Sequence, residues 1–177
     1  MKRKLVWAFA LLLAVSLTAV AQERQERGEH HDKLNFFVGD WKTLDKVMPS
    51  PMGPGGESEG KALFHWMLGD FWLAHEYTGE MPDYGHYEGL GITTYDPAAG
   101  NYVTYWFGNS GAIVGQYRGD WVDGKSLVLD GTTDMEGMTI YERLTWTPVS
   151  ENEIHFTIEM STDGREFVLT LDSTYRR

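Results

Sequence analysis

From residue 35 onward the chain is a succession of short segments rich in Val, Ile, Thr, Tyr, Phe and Trp, each closed by Gly, Pro, Asp or Asn. This spacing is the strongest constraint on the fold, because strands joined by hairpin-length turns leave no length for helices or crossovers. It predicts strands over 39–48, 60–67, 70–79, 86–95, 101–108, 112–121, 126–134, 138–147, 153–161 and 166–175. Between them, Leu68-Gly69-Asp70, Asp96-Pro97-Ala98-Ala99-Gly100, Asn109-Ser110-Gly111, Asp123-Gly124 and Asp163-Gly164 supply residues that tolerate positive φ where the chain must reverse. About ten sequential antiparallel strands leave two raw edges in an open sheet and none in a closed one. The expected architecture is therefore all-β, an up-and-down antiparallel barrel of about ten strands, with 33–177 as one domain. A two-sheet sandwich is the alternative, but it needs longer crossovers, and only the connection over 49–60 is long. Its three prolines and four glycines exclude helix and inner strand. It is expected either to cover the barrel mouth, with Met48 and Met52 as an apolar lid, or to run as a plain surface loop.

The start of the chain is different. Met1-Lys2-Arg3-Lys4 is basic, an apolar run follows to Val20, and Ala19-Val20-Ala21 is a small-residue cleavage site. Residues 1–21 read as a secretory signal peptide, so the protein is expected to be exported, periplasmic or extracellular. The run is shorter than a spanning helix prefers, and no membrane span is expected after cleavage. Loss of Lys2, Arg3 and Lys4 takes the net charge from -11 to -14. Residues 22–32 (QERQERGEHHD) lack apolar periodicity and are expected to form a charged mobile arm. His30, His31 and Asp32 read as a solvated polar patch, because adjacent residues on such an arm cannot close a coordination shell, and no metal is expected.

With 26 acidic against 15 basic residues, the chain has no basic stripe to neutralise a phosphate backbone, and nucleic acid is not an expected partner. It has no cysteine, which removes disulfides, thiolate chemistry and Cys-ligated zinc. Ser110, Ser126 and Ser161 do not occupy a nucleophile elbow, and no glycine pattern opens a helix for a nucleotide.

Period-two alternation sorts the strands into faces. Ile154, Phe156, Ile158 and Met160 share one face, which sends His155 outward; Phe167, Leu169 and Leu171 do the same in the last strand. Elsewhere polar groups fall on the apolar face: Glu142 alternates with Ile140, Leu144 and Trp146, and His86 and Glu88 with Leu90 and Ile92. In 60–79, Leu63, His65 and Met67 oppose Phe64 and Trp66, and His75 and Tyr77 oppose Trp72 and Glu76; either face could be inside. An inward carboxylate must be paired, protonated or hydrated. The set of His75, Glu88 and Glu142 therefore reads either as a wet cavity or as a structural ion-pair network.

Two patterns point to family. Leu34-Asn35-Phe36-Phe37-Val38-Gly39-Asp40-Trp41 is a short apolar helical turn running into Gly-x-Trp, and the chain closes on Tyr175-Arg176-Arg177. This resembles the lipocalin and calycin arrangement, which implies that Trp41 plugs the closed end of the barrel and that Arg176 packs across it. Tyr87-Glu88-Gly89-Leu90-Gly91, Tyr95-Asp96, Tyr102-Val103-Thr104-Tyr105-Trp106, the turn from Gly119 to Lys125 and Tyr141-Glu142-Arg143 resemble the lipocalin-like bacterial domain of unknown function family 1579. That resemblance covers residues 31–177 and implies a barrel without an assigned activity.

The functional expectation is an exported barrel that binds a small, largely apolar molecule, with His65, His75, Glu88, Trp106 and Glu142 as the cavity residues. The alternatives are a haem-binding barrel on one of His65, His75 or His86, or an enzyme using an inward Glu/His pair as general base. No cofactor is expected beyond that haem alternative, and an interaction module without ligand is the remaining class.

Overall fold

The computed structural model describes residues 27–50, 53–82, 85–111, 114–135 and 137–177. The expected signal peptide and Met52 lie outside them. A single helical turn, α1 (Glu29–Asp32), continues into a 3-10 turn over Lys33–Phe37. Ten strands follow: β1 (Gly39–Val47), β2 (Gly56–Met67), β3 (Trp72–Met81), β4 (Gly85–Asp96), β5 (Asn101–Gly108), β6 (Val114–Val122), β7 (Ser126–Met135), β8 (Met138–Ser150), β9 (Glu153–Ser161) and β10 (Val168–Arg176). Each pairs antiparallel with its neighbour in sequence, and β1 with β10 closes the barrel. The expected meander is the observed one.

The turn chemistry works as residue type dictates. Asp123 (φ 53°) and Gly124 (φ 63°) take the positive-φ positions of the three-residue connection between β6 and β7, where Lys125 N–H donates to the Val122 carbonyl at 3.0 Å. Most strand bounds fall within three residues of expectation, and the largest departure is at β2, which begins at Gly56, inside the Pro/Gly-rich connection. The ladder extends there because Val47 of β1 lies opposite Gly56, so backbone pairing overrides a composition that argues for loop.

One end of the barrel is plugged. Leu34 and Phe37 from the 3-10 turn enter it beside Trp41, and Phe64, Trp146, Ile154 and Tyr175 pack around them, all buried. Trp41 donates its indole N–H to the Phe37 carbonyl at 2.7 Å. Arg27 to Asp32, expected in a mobile arm, instead lie on this end. His31 is buried in edge contact with Phe71, His30 stacks on Tyr95 at 3.7 Å, and Tyr102 donates to the His30 carbonyl at 2.7 Å. Aromatic surface left by the turn gives these histidines an apolar seat that charge patterning alone does not reveal. Residues 22–26 are outside the described range.

The basic residue across the plug is Arg177, a correction to the expected Arg176. Arg176 alternates with inward Tyr175, so it faces out and bonds Glu153 at 2.9 Å. Arg177, one residue past β10, folds back with its guanidinium 4.0 Å from the Trp41 ring and donates to the carbonyls of Val38 and Phe36 at 3.1 and 2.8 Å.

Candidate functional site

Burial and register settle the faces that the sequence left open. Phe64, Trp66, His75 and Tyr77 point inward, while His65 and Glu76 point outward and lie 3.8 Å apart. His65 is therefore on the exterior, not in the cavity.

The larger correction concerns β4. Glu88, expected inside with Leu90 and Ile92, is outside: it lies 3.3 Å from the ring of His86, which also meets Glu80 at 3.1 Å. Those two carboxylates raise the His86 pKa above its ordinary value, Glu88 most. The inward face of β4 holds Tyr87, Gly89, Gly91 and Thr93 instead. The reason is steric. The Trp106 indole lies flat against this strand, and a Cβ at Gly89 would come within 2.1 Å of Trp106 Cζ2. Leu90 is displaced to the outer wall, where with Leu63 and Phe107 it lines an exterior groove across β1 to β5. The tenth strand needs a similar correction: a register shift between Leu169 and Leu171 leaves Leu169 opposite outward Glu159, and Phe167 lies outside beneath Arg143 at 4.2 Å.

His75, Trp106 and Glu142 do lie inside, but not as one cluster. His75 stacks on Phe64 at 4.1 Å, with Trp106, Trp146 and Tyr175 between 5.2 and 6.0 Å. Its Nε2 is buried without a hydrogen-bond partner, and burial lowers its pKa to about 3, so the ring is neutral. Glu142 sits elsewhere, accepting from Tyr117 and Thr133 hydroxyls at 2.7 Å each, both on Oε2. Among the described residues Oε1 has no hydrogen-bond partner.

A second inward carboxylate is Asp45, a residue outside the expected cavity set. It is 1% exposed and accepts from Thr43 and Tyr77 at 2.7 Å each and from Ser173. The signal was available, since Trp41, Thr43 and Asp45 alternate on one face of β1. Tyr77 reaches Asp45 across the intervening strand because Gly60 leaves room: a Cβ there would lie 2.6 Å from the Tyr77 hydroxyl oxygen. Tyr117 reaches Glu142 across Gly131 in the same manner, where a Cβ would lie 2.5 Å from Tyr117 Cδ1. Burial, reinforced by the neighbouring carboxylate, raises the pKa of both phenols, so each remains a hydrogen-bond donor.

Towards the end opposite the plug, inward Tyr87, Trp106, Thr133, Glu142, Ile158 and Met160 are only half-buried. Trp106 donates to the Tyr87 hydroxyl at 2.8 Å, and the Tyr87 ring lies 6.1 Å from that of Tyr77. These inward side chains are aromatic or aliphatic with one threonine hydroxyl and one carboxylate among them, and they remain partly accessible to water. Among the described residues, no group of three or more His, Asp or Glu side chains is placed to hold a metal ion.

A closed ten-stranded antiparallel barrel with a Gly-x-Trp floor defines a lipocalin-like fold. The chain belongs to the family described as protein of unknown function (DUF1579), whose model matches residues 26–177. Among solved structures, Rv2717c from M. tuberculosis is similar at 14% identity and a TM-score of 0.62, over 86% of this chain and 99% of that one. The S-type phycobiliprotein lyase CPES from Guillardia theta is similar at 14% identity and a TM-score of 0.56, over 85% and 93%. At such identity the likeness concerns the fold. No curated protein matches the sequence.

Proposed function

We propose that the protein binds a small, largely apolar molecule in the half-open end of its barrel, after export directed by residues 1–21. The observation that carries this reading is the contrast in burial along the interior. Leu34, Phe37, Trp41, Phe64 and Tyr175 at the plugged end are sealed, whereas Tyr87, Trp106, Ile158 and Met160 face inward and stay partly exposed. A barrel that served only as a scaffold would gain by filling that space, since each buried methylene contributes about 0.8 kcal/mol. Aromatic walls with a few polar groups suit a ligand of modest size.

Haem on His75 fits poorly. Its unpartnered Nε2 is what an axial ligand would offer, but a macrocycle beside it would have to displace at least one of Phe64, Trp106, Trp146 and Tyr175. Nor is a Glu/His general-base pair assembled inside, because Glu88 is exterior and Glu142 is bonded to hydroxyls.

The test is binding of the neutral probe N-phenyl-1-naphthylamine, with Met160→Trp made to fill the half-open end, or cup, without removing a hydrogen bond. Saturable binding to the natural protein, weakened at least about tenfold in the variant, supports the reading. No binding, or equal binding to both, overturns it. Export is checked separately by the mature N-terminus, expected at Gln22.

A further inference from the structure

The charges inside the barrel do not balance. Asp45 and Glu142 both point inward, whereas the lysines and arginines of the described strands point outward, and the inward His75 is neutral. The two carboxylates are stabilised by five hydroxyl groups and no cation. Asp45 spends both oxygens on these bonds and is sealed. Glu142 does not: Tyr117 and Thr133 both bond Oε2, and Oε1 is left to a half-buried space. The space is bounded by π-faces. Because the Trp106 indole lies with one face against Gly89 and Gly91, the other turns toward the interior. Tyr87 accepts a hydrogen bond from that indole, and the Tyr117 ring lies over Gly115, the residue paired with Trp106.

From this we infer that the cup selects an amine: a ligand with an aromatic or aliphatic body and one ammonium group, the ammonium donating to Glu142 Oε1 and lying near the Trp106 and Tyr87 rings. The inference rests on the binding reading above and adds the charge of the ligand. Three physical facts converge on it. An anionic oxygen lacking a donor in a partly desolvated site is satisfied most strongly by a charged donor. Aromatic faces attract cations, more so as water is excluded. An interior with uncompensated negative charge repels carboxylates and phosphates at the same short range. Hydroxyl donors from Tyr117 and Thr133 hold the carboxylate in place without neutralising it, so its charge remains available.

Three compounds with one body separate charge from shape: 2-naphthylmethylamine, 2-naphthalenemethanol and 2-naphthoate, titrated against the full chain by calorimetry at neutral pH. The amine is expected to bind at least about tenfold more tightly than the alcohol, and the naphthoate most weakly. Glu142→Gln should erase the amine's advantage while leaving alcohol affinity within about threefold. Met160→Lys is the second variant. Met160 lies opposite Glu142 in the β8/β9 register, so a lysine there supplies the missing cation from the protein and should abolish the preference with the fold intact. Exterior Glu88→Gln should change nothing. Equal binding of the three compounds overturns the amine assignment and leaves the apolar-binding reading standing. No binding of any compound removes both. An amine preference that persists in either folded variant at the Glu142 pair traces to the net negative charge of the chain and overturns Glu142 as its source.

Discussion

Two sectors of the barrel wall solve the same construction problem with opposite outcomes. In β10, β1, β2 and β3, Tyr77 spans Gly60 to reach Asp45; in β6, β7 and β8, Tyr117 spans Gly131 to reach Glu142. Each sector uses a tyrosine, a glycine on the strand between, and a carboxylate on the strand beyond. The first is sealed: Asp45 is 1% exposed and both its oxygens are bonded. The second is half-open, with two donors on one oxygen. The difference comes from what stands around the motif. Ser173 of β10 supplies a third donor to Asp45, while the longer Glu142 side chain stands in the half-buried cup. The same hydrogen-bonded motif is thus a fully bonded internal brace in one sector, while in the other it leaves one carboxylate oxygen without a donor among the described residues.

The strongest way to break this contrast is to remove the floor of the sealed sector. Trp41 is 2% exposed, on the strand that carries Thr43 and Asp45. Trp41→Ala should cost about 3–5 kcal/mol, as for other buried aromatic truncations, read by urea unfolding. A loss under about 1 kcal/mol would show that Trp41 does not hold that end. Next in size is the carboxylate pair itself. Asp45→Asn removes an acceptor from buried hydroxyls and should cost about 2–4 kcal/mol, while Glu142→Gln, beside a half-exposed oxygen, should cost less than about 1 kcal/mol. Equal costs at the two positions would erase the distinction between brace and site.

These residues also show how far the sequence could be read. All ten strands were visible because β-branched and aromatic segments alternate with turn residues, and both signals are local. Glu142 was placed inside because its strand alternates cleanly with Ile140, Leu144 and Trp146. Glu88 was misplaced because its strand offers two faces, and the decisive fact is the Trp106 ring on β5 lying over Gly89 and Gly91. Glycine carries no hydropathy signal, so an inward face made of glycines cannot be told from an outward one by pattern. Asp45 is legible as inward from its alternation with Trp41 and Thr43 on β1, but its bonding is not. Its three hydroxyl partners come from three strands, and that convergence needs the closed barrel.

His75 sharpens the contrast through pH. It sits on β3 within the sealed sector, neutral, with its pKa lowered to about 3 by burial. In the unfolded chain the same imidazole titrates near 6.5, so between these values the unfolded state binds a proton that the folded state does not. Stability from this residue is full above about pH 6.5 and falls as pH drops toward 3, by up to about 1.4 kcal/mol per pH unit. His31, also lowered by burial, acts in the same direction. The slope for His75 is therefore the difference between the natural protein and His75→Leu, measured as unfolding free energy from pH 7 to pH 4. Identical slopes would mean that water reaches His75 and that the sector is not sealed.

The smallest expected effect separates two adjacent arginines. Arg177 covers the Trp41 ring at 4.0 Å and bonds two carbonyls of the plug, while Arg176 bonds Glu153 on the outer surface with two thirds of its side chain exposed. A partly desolvated cation over an indole is worth about 0.5–2 kcal/mol, an exposed ion pair about 0–1 kcal/mol. Arg177→Ala should therefore lower stability by about 1 kcal/mol, with Arg176→Ala within about 0.5 kcal/mol of the natural protein. The double variant Arg177→Ala with Trp41→Phe isolates the contact, since Phe keeps the plug largely filled but offers a weaker π-face. A coupling near zero in that cycle would mean that Arg177 acts through the Val38 and Phe36 carbonyls alone. A larger loss at Arg176 than at Arg177 would return the closing role to the last residue of the strand, and with it the simpler rule that strand alternation alone decides which side chain covers the floor.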